Sequence, residues 1–191
     1  MKALTVASTL YGTYRVDQPA RTTPLFSLFL RAPPVDIEAP AAVVWSVISD
    51  FAAYPEWNPL NRGVEVAEPG GLGAPVHLSV SWGPYVRHGD GFTMDGLSVD
   101  LQNDERLTIW EVGRCLAYGD DYGFLHRAER VQLLEPLGPN RTRYHNVETM
   151  VGLLSPFVHI LGGKIERGFA AASIALKARA EAIHKEQLVQ A

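Results

Sequence analysis

Residues 41–59 read AAVVWSVISDFAAYPEWNP, and this stretch decides the fold. Val43, Val44, Val47, Ile48 and Phe51 recur at three- and four-residue spacings, the signature of one buried helical face. Pro40 stands just before them, where proline starts a helix well. Asp50 is placed to cap a second short helix over Phe51–Tyr54. Pro55 and Pro59 forbid a long continuation, because each lacks an N–H and restricts the residue before it. The stretch therefore predicts two short helices that meet at a bend and leave it through the rigid tripeptide Trp57-Asn58-Pro59.

Around it lie 191 residues, 47% of them hydrophobic, which is enough for one sizeable core and gives no sign of a second domain. The formal charge of −4 contains no basic block, so the footprint of a nucleic-acid or anionic-membrane partner is missing. Cys115 is the only cysteine; this excludes an intrachain disulfide and a thiolate zinc cluster, and predicts a bystander thiol in a reducing, cytoplasmic setting. No run approaches the ~20 apolar residues that span a bilayer, so no stable membrane insertion is expected. The opening MKALTVASTLYG is interrupted by Thr, Ser and Tyr and does not read as a signal peptide.

Residues 1–34 carry Pro19, Pro24, Pro33 and Pro34 and read as an N-terminal arm, partly docked through the apolar run LFSLFL at 25–30, as an added strand or against a partner subunit. From Val35 the pattern tightens into β-like alternation: VDIEA, GVEVAE (63–68), PVHLSVSW (75–82), LSVDLQ (97–102), RLTIWEV (106–112), HRAERVQLLE (126–135) and TRYHNVETMVG (142–152). Turn signals at 69–71, 83–84, Asn103-Asp104, 119–121 and 138–140 separate these runs and predict an antiparallel meander. Such a sheet buries one face and needs a cover.

The cover is the C-terminal segment. Ser155-Pro156 reads as an N-cap followed by proline in the first turn, and a long helix then runs to about Gln187, leaving 188–191 as a tail. Its inner face should carry Phe157, Leu161, Ile165, Gly168, Phe169, Ala172, Leu176 and Ile183. Gly162, Gly163, Gly168, Ala170, Ala171 and Ala172 supply little volume, so either the helix sits close to the sheet or a space is left between them. The second alternative predicts an apolar void of roughly 300–1,000 Å³.

The order of elements resembles the START-like helix-grip (SRPBCC) superfamily, in its polyketide cyclase/dehydrase and lipid-transport branch. IEAPAAVVWSVISDFAAYPEWNP (37–59) is similar to that branch's I-x-A-P-x-x-V-W-x-x-x-x-D-F-x-x-Y-P-x-W-N-P motif. LEPLGPNRTRYHNVETMVGLL (134–154) resembles its closing hairpin, and ALKARAEA (175–182) its terminal helix. The resemblance implies an α+β helix-grip fold over 35–187: a curved antiparallel sheet of about seven strands wrapped around the long C-terminal helix, with two short helices after the first strand. It implies that Trp45 and Trp57 are scaffold, and that a ligand cavity lies between the concave sheet and the helix.

Strand parity nominates the lining. Val76, Leu78, Val80 and Trp82 share one face and leave His77 on the other. Tyr144, Asn146, Glu148 and Met150 match the positions that look inward in the family; across the turn at 138–140 they face Leu134, Gln132, Arg130 and Ala128. Arg130 then stands opposite Glu148, an arrangement that costs several kcal/mol of desolvation per charge and suits the orientation of a polar ligand. The alternative, a parity off by one, puts both charges in solvent. Which face of 106–112 points inward stays open. His88 and Asp90, with Tyr118, Asp120 and Tyr122, sit on Gly-rich loops that could form a rim.

The expected function is binding of a hydrophobic small molecule, with cofactor-independent polyketide-type cyclisation or dehydration as the enzymatic reading. Glu148, Arg130 and Tyr144 are its catalytic candidates: Glu148 as acid/base, Arg130 or Tyr144 to polarise a carbonyl. Val80, Trp82, Gln132, Asn146, Met150, Leu161, Ile165, Phe169 and Tyr118 are the ligand-binding candidates. A non-catalytic carrier or sensor of lipid-like metabolites is the alternative. The histidines share no metal-ligand spacing and no nucleotide or nucleophile motif occurs, so neither metal nor cofactor is expected. The chain is expected as a monomer or homodimer.

Overall fold

The computed structural model describes residues 4–17, 21–23, 26–67, 70–88, 91–94 and 99–190, without the side chains of 21–23, 86–88, 91–94, 99 and 159–162. In chain order the elements are β1 (Thr5–Ser8), β2 (Gly12–Arg15), β3 (Arg21–Thr23), β4 (Ser27–Arg31), β5 (Val35–Ile37), α1 (Ala41–Ser49), a 3-10 turn (Phe51–Ala53) and α2 (Tyr54–Trp57). There follow β6 (Asn61–Val66), β7 (Pro75–Trp82), β8 (Tyr85–His88), β9 (Gly91–Met94), β10 (Val99–Glu111), β11 (Cys115–Asp121), β12 (Arg127–Gly138), β13 (Arg141–Val151) and α3 (Ser155–Gln190). Nine strands form one antiparallel sheet in the order β3-β4-β13-β12-β11-β10-β7-β6, with β5 on the same edge of β13 as β4. Together with α3 packed across it, this is the helix grip.

The bend works as the spacing predicts, with different caps. Val43, Val44, Val47 and Ile48 are buried on α1, but Asp50 makes no side-chain cap. Tyr54 replaces it: its buried hydroxyl donates to the Ile48 carbonyl at 2.7 Å and pins the second helical turn to the end of α1. Pro55 sits in the first turn of α2, where its missing N–H costs nothing. Trp45 and Trp57 pack edge-on against Trp110 and Tyr54, at 5.3 and 4.9 Å between centroids. The Asn58 side-chain carbonyl accepts the Leu60 and Asn61 amides, each at 3.0 Å, so the Trp-Asn-Pro turn is locked as it delivers Asn61 into β6. At α3, Ser155 Oγ has no hydrogen-bond partner among the described residues, so the predicted cap is absent there as well.

Three strand assignments change. Asn103-Asp104 is not a turn: it lies inside one thirteen-residue strand, β10, which takes in residues 99–102 and 106–111 of the two expected strands. LAYGDDYG is not a loop up to Asp121: it forms β11, paired to both β10 and β12. Tyr85–His88 and Gly91–Met94 pair with each other as a small separate sheet, β8–β9. In each case Gly, Asn and Asp suggested turns locally, while pairing to neighbouring strands satisfied the backbone instead.

LFSLFL contributes β4, which pairs with Val147–Val151 of β13. The outer face of the sheet is also partly apolar: Phe29, Ile109, Ala117, Val131, Leu133 and Val147 are buried there beneath Val6 and Val16 of the N-terminal hairpin β1–β2. Glu129 is fully buried under that hairpin, where its carboxylate accepts from Ser8 Oγ (2.5 Å) and Tyr14 Oη (2.7 Å). Cys115 lies in the same layer, and burial pushes its thiol up to about 12, consistent with an inert side chain.

Candidate functional site in the grip

The β12–β13 register settles the parity left open by the sequence. Arg130 pairs with Glu148, Gln132 with Asn146, Leu134 with Tyr144 and Ala128 with Met150, all on the face that meets α3. Arg130 is the centre of a buried polar network. Its Nε donates to Asn146 Oδ1 (3.0 Å), and its Nη1 to Asn61 Oδ1 (2.9 Å) and the Tyr118 hydroxyl (3.2 Å). The guanidinium lies 4.6 Å from the ring centroid of Phe169. Asn61 reaches this network because the Trp-Asn-Pro turn places it, and Asn61 Nδ2 donates in turn to Tyr118 (3.1 Å). Asn146 is tied to α3 through the Phe169 carbonyl (3.3 Å) and Ser173 Oγ (3.5 Å).

All of these acceptors are neutral. No carboxylate forms an ion pair with Arg130 among the described residues, and the guanidinium also acts on the Tyr144 hydroxyl, opposing the rise that burial gives it. Glu148, one strand away at the same register position, has no hydrogen-bond partner among them. The facing charges expected from the sequence are therefore both inside, but they do not meet. Glu148 presents an unused carboxyl to the interior.

Two more carboxyls join Glu148. Glu105 of β10 and Asp120 of β11 lie on the same concave face, opposite Val76 and Ala128. Desolvation pushes Glu148 up to about 7 against the opposing pull of Arg130. Glu105 is pushed up to about 8 by desolvation and then by repulsion from Glu148 and Asp120. Desolvation raises Asp120 too, countered by His126, whose Nε2 stands 3.7 Å away. Burial thus raises all three carboxyls, and Glu105 and Glu148 far enough to retain protons near neutral pH that they would lose in water. All three keep partial accessibility although they lie on the concave face, while Leu28, Leu30, Ala128 and Met150 around them are buried. Room for water therefore remains beside the acids.

The small residues of α3 have a mixed role. A Cβ on Gly168 would stand 3.0 Å from Leu60 Cδ1, 3.3 Å from the Tyr85 ring and 3.5 Å from Trp82, so here the missing side chain lets the helix approach the sheet and leaves no void. Trp82, Phe169 and Ile165 pack at this contact, and Val80 is buried beside it. Neither cavity seen among the described residues lies between the sheet and α3. Past the end of β13, Phe26, Phe124, Leu125, Leu153, Leu154 and Phe157 are exposed, and the segments that carry them are joined by backbone bonds: Gly152 to Phe26 (2.9 Å), Leu153 to Phe124 (3.2 Å) and Leu154 to Leu125 (3.1 Å). Phe157, expected on the inner face, is 69% exposed because it sits in the first turn of α3, past the end of β13.

Of the expected site residues, Arg130, Glu148, Gln132, Asn146, Met150, Tyr118, Val80, Ile165 and Phe169 share the interior. Tyr118 is there as a buried β11 residue and not on a loop. Tyr144 does not reach Glu148: its hydroxyl donates to Gln132 (2.7 Å) toward the α1 end. Leu161, His88 and Asp90 lie outside the described side chains. Sequence reasoning did not include Asn61, Glu105, His126 and Ser173; the Trp-Asn-Pro motif just upstream was the one signal pointing toward Asn61.

Residues 33–181 match the family model described as polyketide cyclase / dehydrase and lipid transport. The chain belongs to that family. Solved structures with the same fold agree. The Zhui aromatase/cyclase from Streptomyces sp. R1128 is 19% identical, with a TM-score of 0.59 over 81% of this chain and 94% of its own. A START superfamily protein from Mycobacterium smegmatis is 22% identical, with a TM-score of 0.55 over 83% and 99%. Norcoclaurine synthase from Thalictrum flavum, in complex with dopamine and hydroxybenzaldehyde, is 14% identical, with a TM-score of 0.57 over 85% and 96%. No curated protein matches the chain in sequence. Among the described residues no helix is long and apolar enough to cross a membrane.

Proposed function

We propose that this member of the polyketide cyclase/dehydrase and lipid-transport family binds a hydrophobic small molecule between the concave sheet and α3, and acts on its polar end by acid–base chemistry. One observation carries the reading: the Glu148 carboxyl has no hydrogen-bond partner among the described residues, although it stands across from the buried Arg130, which is held by neutral groups and forms no ion pair. A buried carboxyl left without a partner is costly unless something else meets it. A ligand carbonyl close to the guanidinium would be polarised by it. The Glu148 carboxyl, with a pKa of about 7, is balanced between donor and acceptor at neutral pH. In a dehydration it gives its proton to a departing hydroxyl, which leaves as water, and a neighbouring carboxylate takes the proton from the adjacent carbon. The exposed Phe and Leu side chains at the end of the grip supply an apolar approach.

A carrier or sensor is the second reading, favoured by Tyr144, which is committed to Gln132 and unavailable for the chemistry. The two separate on Glu148→Gln. In an enzyme, binding survives and turnover falls about a hundredfold or more. In a carrier, affinity changes modestly and nothing else does. Unchanged binding and unchanged turnover would remove Glu148 from the site.

A further inference from the structure

The pairing between β10 and β11 stops early. It runs from Glu111–Cys115 to Arg106–Gly119, after which β10 continues along β7 and β11 along β12. No backbone bond crosses between the two strands beyond that point among the described residues. In the gap lies a cavity of about 620 Å³. Its lining comes from both faces of the sheet: Glu65 and His77 from the outer face, Glu105 and Asp120 from the concave face. Gly119 sits at the fork. A Cβ there would stand 2.1 Å from the Ala128 carbonyl oxygen, so no side chain fills the opening from that position.

We propose that this gap is a water-filled side passage through the sheet that connects bulk solvent to Glu105 and Asp120, with the tip of the N-terminal hairpin as its cover. Thr9 and Leu10, at that tip, line the cavity from outside. The hairpin itself is clamped on either side of its tip, by Ser8 and Tyr14 on Glu129 and by Tyr11, whose hydroxyl donates to the Arg127 carbonyl (2.7 Å). At the tip the Leu10 and Tyr11 amides donate to Ser8 Oγ (2.9 and 3.2 Å), while toward the sheet Thr9 makes two long bonds to the Thr108 carbonyl, at 3.3 and 3.4 Å. Backbone groups that two diverging strands turn toward each other need a partner, and water supplies one. The purpose of the passage rests on the acid–base reading above: protons and product water can cross the sheet without displacing an apolar ligand. Its existence does not rest on that reading.

The test uses the full-length, ligand-free protein. Carboxyls are coupled to glycine ethyl ester with a water-soluble carbodiimide, and the rate at each site is read by peptide mass mapping, with Glu186, exposed near the end of α3 and outside the cavity, as internal reference. Leu10→Trp fills the tip, and the double change Thr9→Gly, Leu10→Gly trims it. The expected result is modification of Glu105 and Asp120 that slows several-fold in the first variant and accelerates several-fold in the second, with Glu186 unchanged. If Leu10→Trp does not fold, the trimmed variant decides alone. Rates at Glu105 and Asp120 that ignore the tip, or no coupling there while Glu186 is consumed, would overturn the passage. A failure of the acid–base reading would show elsewhere, as unchanged turnover and binding in Glu148→Gln.

Discussion

Replacing Glu148 by glutamine should stabilise the protein in mildly alkaline solution and leave it nearly unchanged in acid. An ordinary glutamate titrates at 4.5, and the interior raises Glu148 to about 7 because desolvation outweighs the attraction of Arg130. Between those two values the native state keeps a proton that the unfolded chain has released. Stability therefore falls as pH rises from 4.5, and levels off above about 7. The interval from 4.5 to about 7, at about 1.4 kcal/mol per unit, is worth at most about 3.5 kcal/mol. It is an upper bound because Glu105 and Asp120 share the same proton balance, and neutralising one relaxes the others. Glutamine has nearly the same shape and no charge to bury. Urea unfolding of parent and variant at about pH 5 and about pH 8 should give coincident midpoints in acid and a higher midpoint for the variant in base, by about 1 M. Other titrating groups, including the His145 that burial lowers, act on both proteins and cancel in the comparison. A shift of equal size at both pH values, or a variant less stable in base, would refute the reasoning and imply that Glu148 is ionised and paired in the native protein.

The other changes act in the opposite direction. Arg130→Met keeps the bulk but strands Asn61, Asn146 and Tyr118, and should cost about 3 kcal/mol by denaturant unfolding. Gly168→Leu forces a side chain into Leu60, Tyr85 and Trp82, and should cost about 1–3 kcal/mol despite its better helix propensity. Tyr14→Phe leaves the buried Glu129 carboxylate with Ser8 as its remaining hydroxyl donor, and a loss of about 1–3 kcal/mol in the same assay would show that the hairpin is bound through it.

The parts legible in the sequence are those where a local rule and the final contacts agree. The 138–140 turn and the inward positions that the resemblance implies put Arg130 opposite Glu148, and that register holds because a bulge between Pro136 and Gly138 shifts the strands by one residue next to the turn. The apolar spacing of α1 fixes its buried face. Glu105 was hidden because Asn103-Asp104 looks like a turn, and without a continuous β10 its face has no parity. Asp120 was read onto a rim loop because of Gly119, whose missing side chain in fact serves a close approach to β12 within a strand. The role of residues 5–16 was illegible because their partners, Phe29, Val131 and Val147, are distant in sequence and sit on a face that alternation assigns to solvent. Missing volume on α3 is ambiguous by nature. At Gly168 it brings helix and sheet together, and a sequence cannot separate that from an empty space.

The central claim, that the grip holds an apolar molecule whose polar end lies between Arg130 and Glu148, is tested most directly by native mass spectrometry of protein purified from cell extract, parent beside Ala128→Trp. Ala128 faces Met150 on the concave surface and is packed next to the acids, so an indole there fills the space a ligand needs. The parent should carry a small apolar adduct bearing a carbonyl or hydroxyl, and folded Ala128→Trp should carry none. An adduct retained undiminished by the folded variant, or a parent that binds nothing from any extract, would contradict the account.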